Sequence, residues 1–299
     1  MKYGFYGTNA RNDRRWLLMF ILARFPLGRI LGAYFYRVRS MNKKDRIQEI
    51  DYPDLSTSIF PDLNVDLAIK SIEEDGYCLG LKLPDRTLQA ILEYAAKGDI
   101  GIDGEPSLSF KYADKEQAEQ KYNQAILIGN YSKVNTECLA MQQLASDPKL
   151  IAIASEYLGQ KPLLVRSQMG WTFVASKEAY AQKGELGSPT VLFHYDLDDY
   201  RALKFFFYLT NVDSLSGSHR CVAGSHKKRK LLHYVFRSQS DFEIADYYGS
   251  DRVIEICGQP GTGFGEDPFC FHRGSPPVNS PRLMIQLEFA LNDYGMWEM

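Results

Sequence analysis

From about Pro162 onward the chain is a succession of short apolar, aromatic and β-branched runs, and this texture constrains the fold more than any other feature. Residues 163–173, 190–196, 203–210, 252–257, 264–272 and 282–291 are predicted strands, separated by Gly, Pro, Ser or Asn clusters such as Gly258-Gln-Pro-Gly261 and Gly274-Ser-Pro-Pro277. Short strands at uneven spacing with long inserts predict an antiparallel sandwich or jelly roll. The upstream half is mixed. Helical spacing over 65–74 ends at Asp75-Gly76, and an alternating strand follows over 77–83. Pro84-Asp85 opens a helix whose Leu88, Ile91, Leu92 and Ala95 share one face, and Gly98 stops it. The polar stretch 99–121 is expected as a loop, followed by helices over 136–145 and 148–158 with Asp147 as N-cap and Gly159 as stop. The predicted class is therefore mainly β with a helical annex (α+β).

At 299 residues one large β-rich domain with an annex is a common solution. Five scattered cysteines, odd in number and without a C-x-x-C pair, argue against a disulfide scaffold or a structural zinc knuckle. A reducing, cytoplasmic setting is expected. Charge is unevenly placed. Residues 1–46 hold eleven Lys or Arg and two acids, a balance of +9 that leaves −11 for the remainder of a chain of net charge −2. The longest uncharged apolar run in this arm, Trp16 to Ala23, is far short of the ~20 residues of a spanning helix. Arg24 and Arg29 also interrupt the apolar part in a way a secretory signal would not tolerate. Three readings of the arm stay open: a helical annex whose apolar face covers the domain, a segment lying on an anionic membrane surface, or a dock for an acidic carrier protein. The acidic body speaks against nucleic acid. The expected division is a basic amphipathic arm over 1–50, a Pro/Ser/Asp linker over 51–64, and a domain over 65–299 with its β core at about 162–291.

His194-Tyr-Asp196 carries the chemistry. In a strand, positions i and i+2 project from one face, so an imidazole and a carboxylate converge there. A metal held on one triangular face needs a third donor from a neighbouring strand. Of the other histidines, His219, His226 and His233 lie among Gly, Ser, Lys and Arg, where turn roles are expected. His272 closes the apolar run Pro268-Phe-Cys-Phe271 and is placed to point inward. Ten residues later Arg282 opens an apolar strand, and an antiparallel turn returns it to the neighbourhood of His272. A guanidinium inside an apolar barrel is costly unless it meets an anion, and its planar fork matches a carboxylate. An H-x-D tripeptide alone is common in turns. The force of the reading comes from four such residues in this order on predicted strands.

With these residues in hand, the sequence over about 65–291 resembles the phytanoyl-CoA dioxygenase family of Fe(II)- and 2-oxoglutarate-dependent oxygenases. The likeness lies in Glu74-Asp-Gly-Tyr77, Ala145-Ser-Asp-Pro148 through Tyr157-Leu-Gly159, Arg166-Ser-Gln-Met169 and the Gly224-Ser-His226 turn. It implies a double-stranded β-helix (jelly roll, cupin-like), with His194, Asp196 and His272 as metal ligands and catalytic centre. Arg282 would hold the distal carboxylate of 2-oxoglutarate, and Gln168 would lie near the cosubstrate. The implied cofactors are Fe(II), 2-oxoglutarate and O2, and the implied reaction is hydroxylation of an unactivated carbon in a small-molecule, lipid-linked or carrier-tethered substrate. Related halogenases carry a small residue where Asp196 stands, which favours hydroxylation here. Two further readings stay open: a different metal cupin, acting without cosubstrate or as an isomerase, and a non-enzymatic jelly-roll binding module. Residues 99–121, 175–188 and 226–250 are expected to wall the substrate pocket.

Overall fold

The computed structural model describes residues 14–42, 54–102, 105–176 and 192–295. Eleven strands form two antiparallel sheets. The larger runs in the order β1 (Tyr77–Lys82), β9 (Thr262–Glu266), β6 (Ala202–Tyr208), β11 (Arg282–Ala290), β5 (Leu163–Thr172), β4 (Ile128–Asn130), β2 (Ile100–Ile102), β3 (Glu105–Phe110). The smaller is β10 (His272–Gly274), β7 (His219–Val222), β8 (Val253–Ile256). Ten helices accompany them among the described residues: α1 (Arg14–Leu22), α2 (Pro26–Asn42), α3 (Val65–Asp75), α4 (Asp85–Lys97), α5 (Lys115–Tyr122), α6 (Val134–Glu137), α7 (Leu139–Ala145), α8 (Pro148–Leu158), α9 (Leu231–Val235) and α10 (Asp241–Tyr248). None is long and apolar enough to cross a membrane.

Strand alternation explains how one sheet serves two layers. On β6 and β11, Leu203, Phe205, Phe207, Leu283, Ile285, Leu287 and Phe289 join one core with Ile72 of α3, Leu144 of α7 and Ile153 of α8. The alternate residues face the small sheet, where Phe206, Tyr208 and Phe264 pack with Cys221 and Ile256. Register puts Lys204 opposite both Glu288 and Glu266, and Arg282 opposite Thr172, on that same inner face. The inner layer therefore carries charge in its interior, which a purely structural sandwich avoids.

Two local devices lock the annex onto the sheets. Gly76, in the left-handed region at φ 86°, ends α3, and a Cβ there would sit 2.1 Å from Cys270 Sγ. Asp147 caps α8 by accepting from the Lys149 and Leu150 amides, and its other contacts are Ser58 Oγ and the Ile59 amide. The predicted cap thus also staples the 54–64 segment, which Lys149 Nζ holds through the Phe60, Pro61 and Leu63 carbonyls.

Several sequence expectations are corrected. The stretch 99–121 is not a loop but β2, β3, a 3-10 turn and α5, since Ile100, Ile102, Phe110 and Ala118 bury among the polar residues that masked them. The helix over 136–145 breaks at Cys138, whose extended backbone separates α6 from α7. The strand over 264–272 is two strands in different sheets: the chain crosses between them in a turn anchored by the Asp267 carboxylate on the Phe269 amide. The strand over 190–196 is reduced, among its described residues, to single bridges at Phe193 and His194. Of the expected pocket wall 175–188, all but residues 175 and 176 lies outside the described residues. Of the arm, Trp16, Met19 and Ala23 bury in the main core, whereas on α2 Gly28, Arg29, Gly32, Ala33 and Tyr36 are the more buried positions and the large aliphatic residues are exposed.

Asp147→Ala is expected to lower unfolding free energy by about 2 kcal/mol, through loss of the cap and the staple. A denaturant midpoint unchanged from the wild type would contradict the assignment.

Candidate metal centre

The centre begins as a pair of backbone hydrogen bonds. The His194 amide donates to the His272 carbonyl at 2.9 Å, and the His272 amide donates back to His194 at 2.8 Å. This reciprocal bridge fastens the 193–196 segment to the edge of the small sheet and sets the two imidazoles 4.6 Å apart. The Asp196 amide, donating to Pro268 O at 2.8 Å, fixes the third residue. His194 Nε2 lies 3.6 Å from Asp196 Oδ1, and His272 Nε2 lies 3.4 Å from Asp196 Oδ2. One donor atom from each of the three falls within 4.8 Å of the others. Metal bonds of about 2.1 Å would draw such donors to about 3 Å from one another, a small adjustment from the distances seen.

The tautomers suit a metal. His194 Nδ1 is 3.1 Å from the Leu192 carbonyl and His272 Nδ1 is 3.0 Å from the Cys270 carbonyl, so each Nδ1–H has an acceptor and each Nε2 is the nitrogen turned to the centre, on His272 in exchange for a proton. Two imidazole nitrogens and one carboxylate oxygen, with no sulfur, match the donor type that non-haem iron(II) sites with open positions use.

Electrostatics treat the three residues unequally. Burial pushes His194 down to about 3, aided by His272. Burial also opposes a charge on His272, but Glu266 and Asp196 outweigh it and lift that imidazole to about 9. Burial would likewise raise Asp196, yet Lys204, His272 and His194 hold it ionised well below the usual carboxylate range. Lys204 is the compensating charge. Its Nζ lies 2.6 Å from Asp196 Oδ2, 2.9 Å from Asp198 Oδ2 and 3.5 Å from Glu288 Oε2. Burial lifts Glu288 to about 8 despite Lys204. Lys204 therefore grips Asp196 by one oxygen and leaves the other facing His194.

Arg282 lies on the same inner face, buried, donating to Gly217 O and, at 3.3 Å, to Thr172 Oγ1. Gln168 is opposite Gln286 on that face and donates to Asn130 Oδ1 while accepting from Arg166 Nε at 2.8 Å. The structure thus brings His194, Asp196 and His272 together, with Arg282 and Gln168 farther along the same interior. His226 has the structural surroundings expected of it, its Nε2 3.2 Å from Glu73 O and its Nδ1 3.4 Å from Cys270 Sγ. His219 is a correction. It is not a turn residue but sits buried in β7, 2.7 Å from Glu266 and stacked on His272 with centroids 5.6 Å apart. Lys204 escaped the sequence reading, although a lone lysine inside Ala202-Leu-Lys-Phe-Phe-Phe-Tyr208 is a signal, because only an anionic cluster makes it tolerable there.

No protein-family model and no curated protein matches the sequence. Solved structures do match in fold. EctD from S. alaskensis, crystallised with bound Fe, has 16% identity and a TM-score of 0.50, over 79% of this chain and 79% of that one. HygX from Streptomyces hygroscopicus, crystallised with nickel and 2-oxoglutarate, has 13% identity and a TM-score of 0.50, over 75% of this chain and 85% of that one. At such identities the likeness is one of architecture.

Lys204→Met is expected to destabilise chelator-treated protein by about 3–5 kcal/mol, because it strands buried carboxylates. Added divalent cation is expected to raise its melting temperature more than that of the wild type. An unaltered melting curve would contradict the compensating role.

Proposed function

We propose that this chain is an Fe(II)- and 2-oxoglutarate-dependent dioxygenase with a double-stranded β-helix core, of the kind the sequence resembles, hydroxylating an unactivated carbon of a small molecule. The observation that carries the reading is the donor set: both histidines spend Nδ1 on backbone carbonyls and turn Nε2 toward an ionised Asp196. The fold likeness to proteins crystallised with iron, or with nickel and 2-oxoglutarate, supports it.

In this reading His194, Asp196 and His272 hold the iron, and bound iron supplies the dioxygen chemistry. The overall balance is substrate C–H plus 2-oxoglutarate plus O2 giving the alcohol, succinate and CO2. The chain's own residues bind and orient. Arg282, with Thr172 beside it, receives the far carboxylate of 2-oxoglutarate in a buried setting where a charge-assisted pair is strong. Gln168, ordered by Arg166 and Asn130, lines the same inner face and is proposed to flank the cosubstrate. Lys204 keeps Asp196 ionised and in one rotamer. Phe206 and Phe264, buried on the inner face, keep water from the interior between the two sheets.

Anaerobic addition of Fe(II) and 2-oxoglutarate is expected to give a visible charge-transfer band that Asp196→Ala abolishes. In the presence of oxygen, succinate should form. Arg282→Ala is expected to weaken 2-oxoglutarate binding roughly 10–100-fold, as befits loss of a charge-assisted bond, with metal affinity little changed. Unchanged 2-oxoglutarate affinity in that variant would overturn the assignment of Arg282.

A further inference from the structure

The α1–α2 hairpin buries Trp16, Met19 and Ala23 in the core and turns a second apolar surface to solvent. On α2, Leu27, Ile30, Leu31, Tyr34, Phe35 and Val38 recur at the spacing of a single helical face, and all are exposed, Leu27 at 73%. The opposite side of α2 is shaped for the domain. Gly32 lets the helix approach so closely that a Cβ would lie 2.2 Å from the Tyr200 ring. Arg29 reaches inward, its guanidinium 3.4 Å over the Phe269 ring and 3.7 Å from Asp267. The helix is thus fixed in an orientation that turns its greasy stripe outward. Its stripe is not a core face awaiting a better fit.

The patch extends beyond the hairpin. Leu17, Leu18 and Ile21 of α1 are exposed, and the α1–α2 corner touches the α9 region through Arg24 on Val235 O at 3.2 Å and Phe25 against Tyr234 at 6.0 Å. There Leu231, Leu232, Val235 and Phe236 are exposed as well, Leu231 at 83%. An exposed apolar area of this extent marks a contact site. Charge selects the contact. The described residues 14–42 hold six arginines and no acid, and Lys227, Lys228 and Lys230, in the segment that leads into α9, are exposed, while the chain beyond residue 46 is strongly acidic. The nearby acid Asp241 is neutralised by Arg273 at 2.6 Å, and Glu243 is engaged as the capping-box residue of α10.

We propose that this face docks on an anionic lipid bilayer, with the apolar side chains of α1, α2 and α9 entering the headgroup boundary and the basic residues meeting lipid phosphates. Large apolar residues at helical spacing with a basic surround are the pattern of an interfacial helix. The acidic remainder is repelled by the same surface, which fixes the orientation of the protein upon it. The docking face is also joined to the metal centre. Tyr195, between the two ligands His194 and Asp196, donates its hydroxyl to the His233 and Tyr234 carbonyls, and the Gln239 amide donates to Phe193 O at 2.7 Å.

Flotation of the full chain with phosphatidylcholine vesicles, with and without phosphatidylglycerol, tests this. Binding is expected to the phosphatidylglycerol vesicles, to fall with salt, and to be far weaker to phosphatidylcholine alone. The variant L27S/I30S/L31S changes only exposed positions and is expected to keep the wild-type circular dichroism and melting temperature while losing about ten-fold or more in vesicle affinity. Failure of the full chain to float with anionic vesicles would overturn the proposal, as would equal binding by the variant. A concentration-dependent dimer in light scattering that the variant abolishes, without vesicle binding, would assign the face to a second copy instead. Binding of 2-oxoglutarate in solution reads the catalytic proposal separately, so either can fail alone.

Discussion

The reciprocal backbone hydrogen bonds between His194 and His272 are the constraint on which the rest of the site depends. They join residues 78 positions apart in the chain and fix both the spacing and the tilt of two imidazoles. Peptide geometry, not side-chain attraction, therefore assembles the triad. Two like imidazoles so close would repel if both were protonated, and the environment resolves this by treating them unequally, one pressed toward neutrality and the other drawn toward charge by Glu266 and Asp196. Such a cluster is poised to exchange a proton for a metal cation.

The interior charges form a second layer of the same logic. A sandwich of two sheets would ordinarily fill the space between them with aliphatic side chains. Here the inner face of the large sheet alternates aromatic rings with Lys204, Glu266, Arg282 and Glu288, all buried. Burying so many ionisable groups is expensive, and a fold that needed only stability would gain by replacing them with hydrocarbon. These charges suit the proposed function, in which the interior holds a doubly charged cation and a dianionic cosubstrate. Lys204 balances the carboxylate end, and Arg282 supplies a cation farther along the same strand as Glu288.

Much of this was legible in the sequence. The antiparallel β-rich core, the helical annex, the Asp147 cap and the Gly159 stop followed from periodicity and cap chemistry, and the convergence of His194, Asp196 and His272 from their types and order. What sequence could not convey was which strands lie in which sheet. Residues 264–272 look continuous, yet the chain changes sheets at Asp267, because a carboxylate that caps its own turn is invisible to hydropathy. His219 sits in a polar context along the chain but faces Glu266 across the sandwich. Helical spacing in α2 correctly marks an apolar face; it does not say whether that face turns inward, and Gly32 and Arg29 decide that it does not.

The most direct test is crystallographic: protein prepared anaerobically with Fe(II) and 2-oxoglutarate, with anomalous scattering recorded at the iron edge. A single iron peak bounded by His194 Nε2, Asp196 and His272 Nε2, with the cosubstrate's far carboxylate on Arg282, is the result the account predicts. Iron elsewhere, or a cosubstrate whose far carboxylate rests on a different cation, would contradict it.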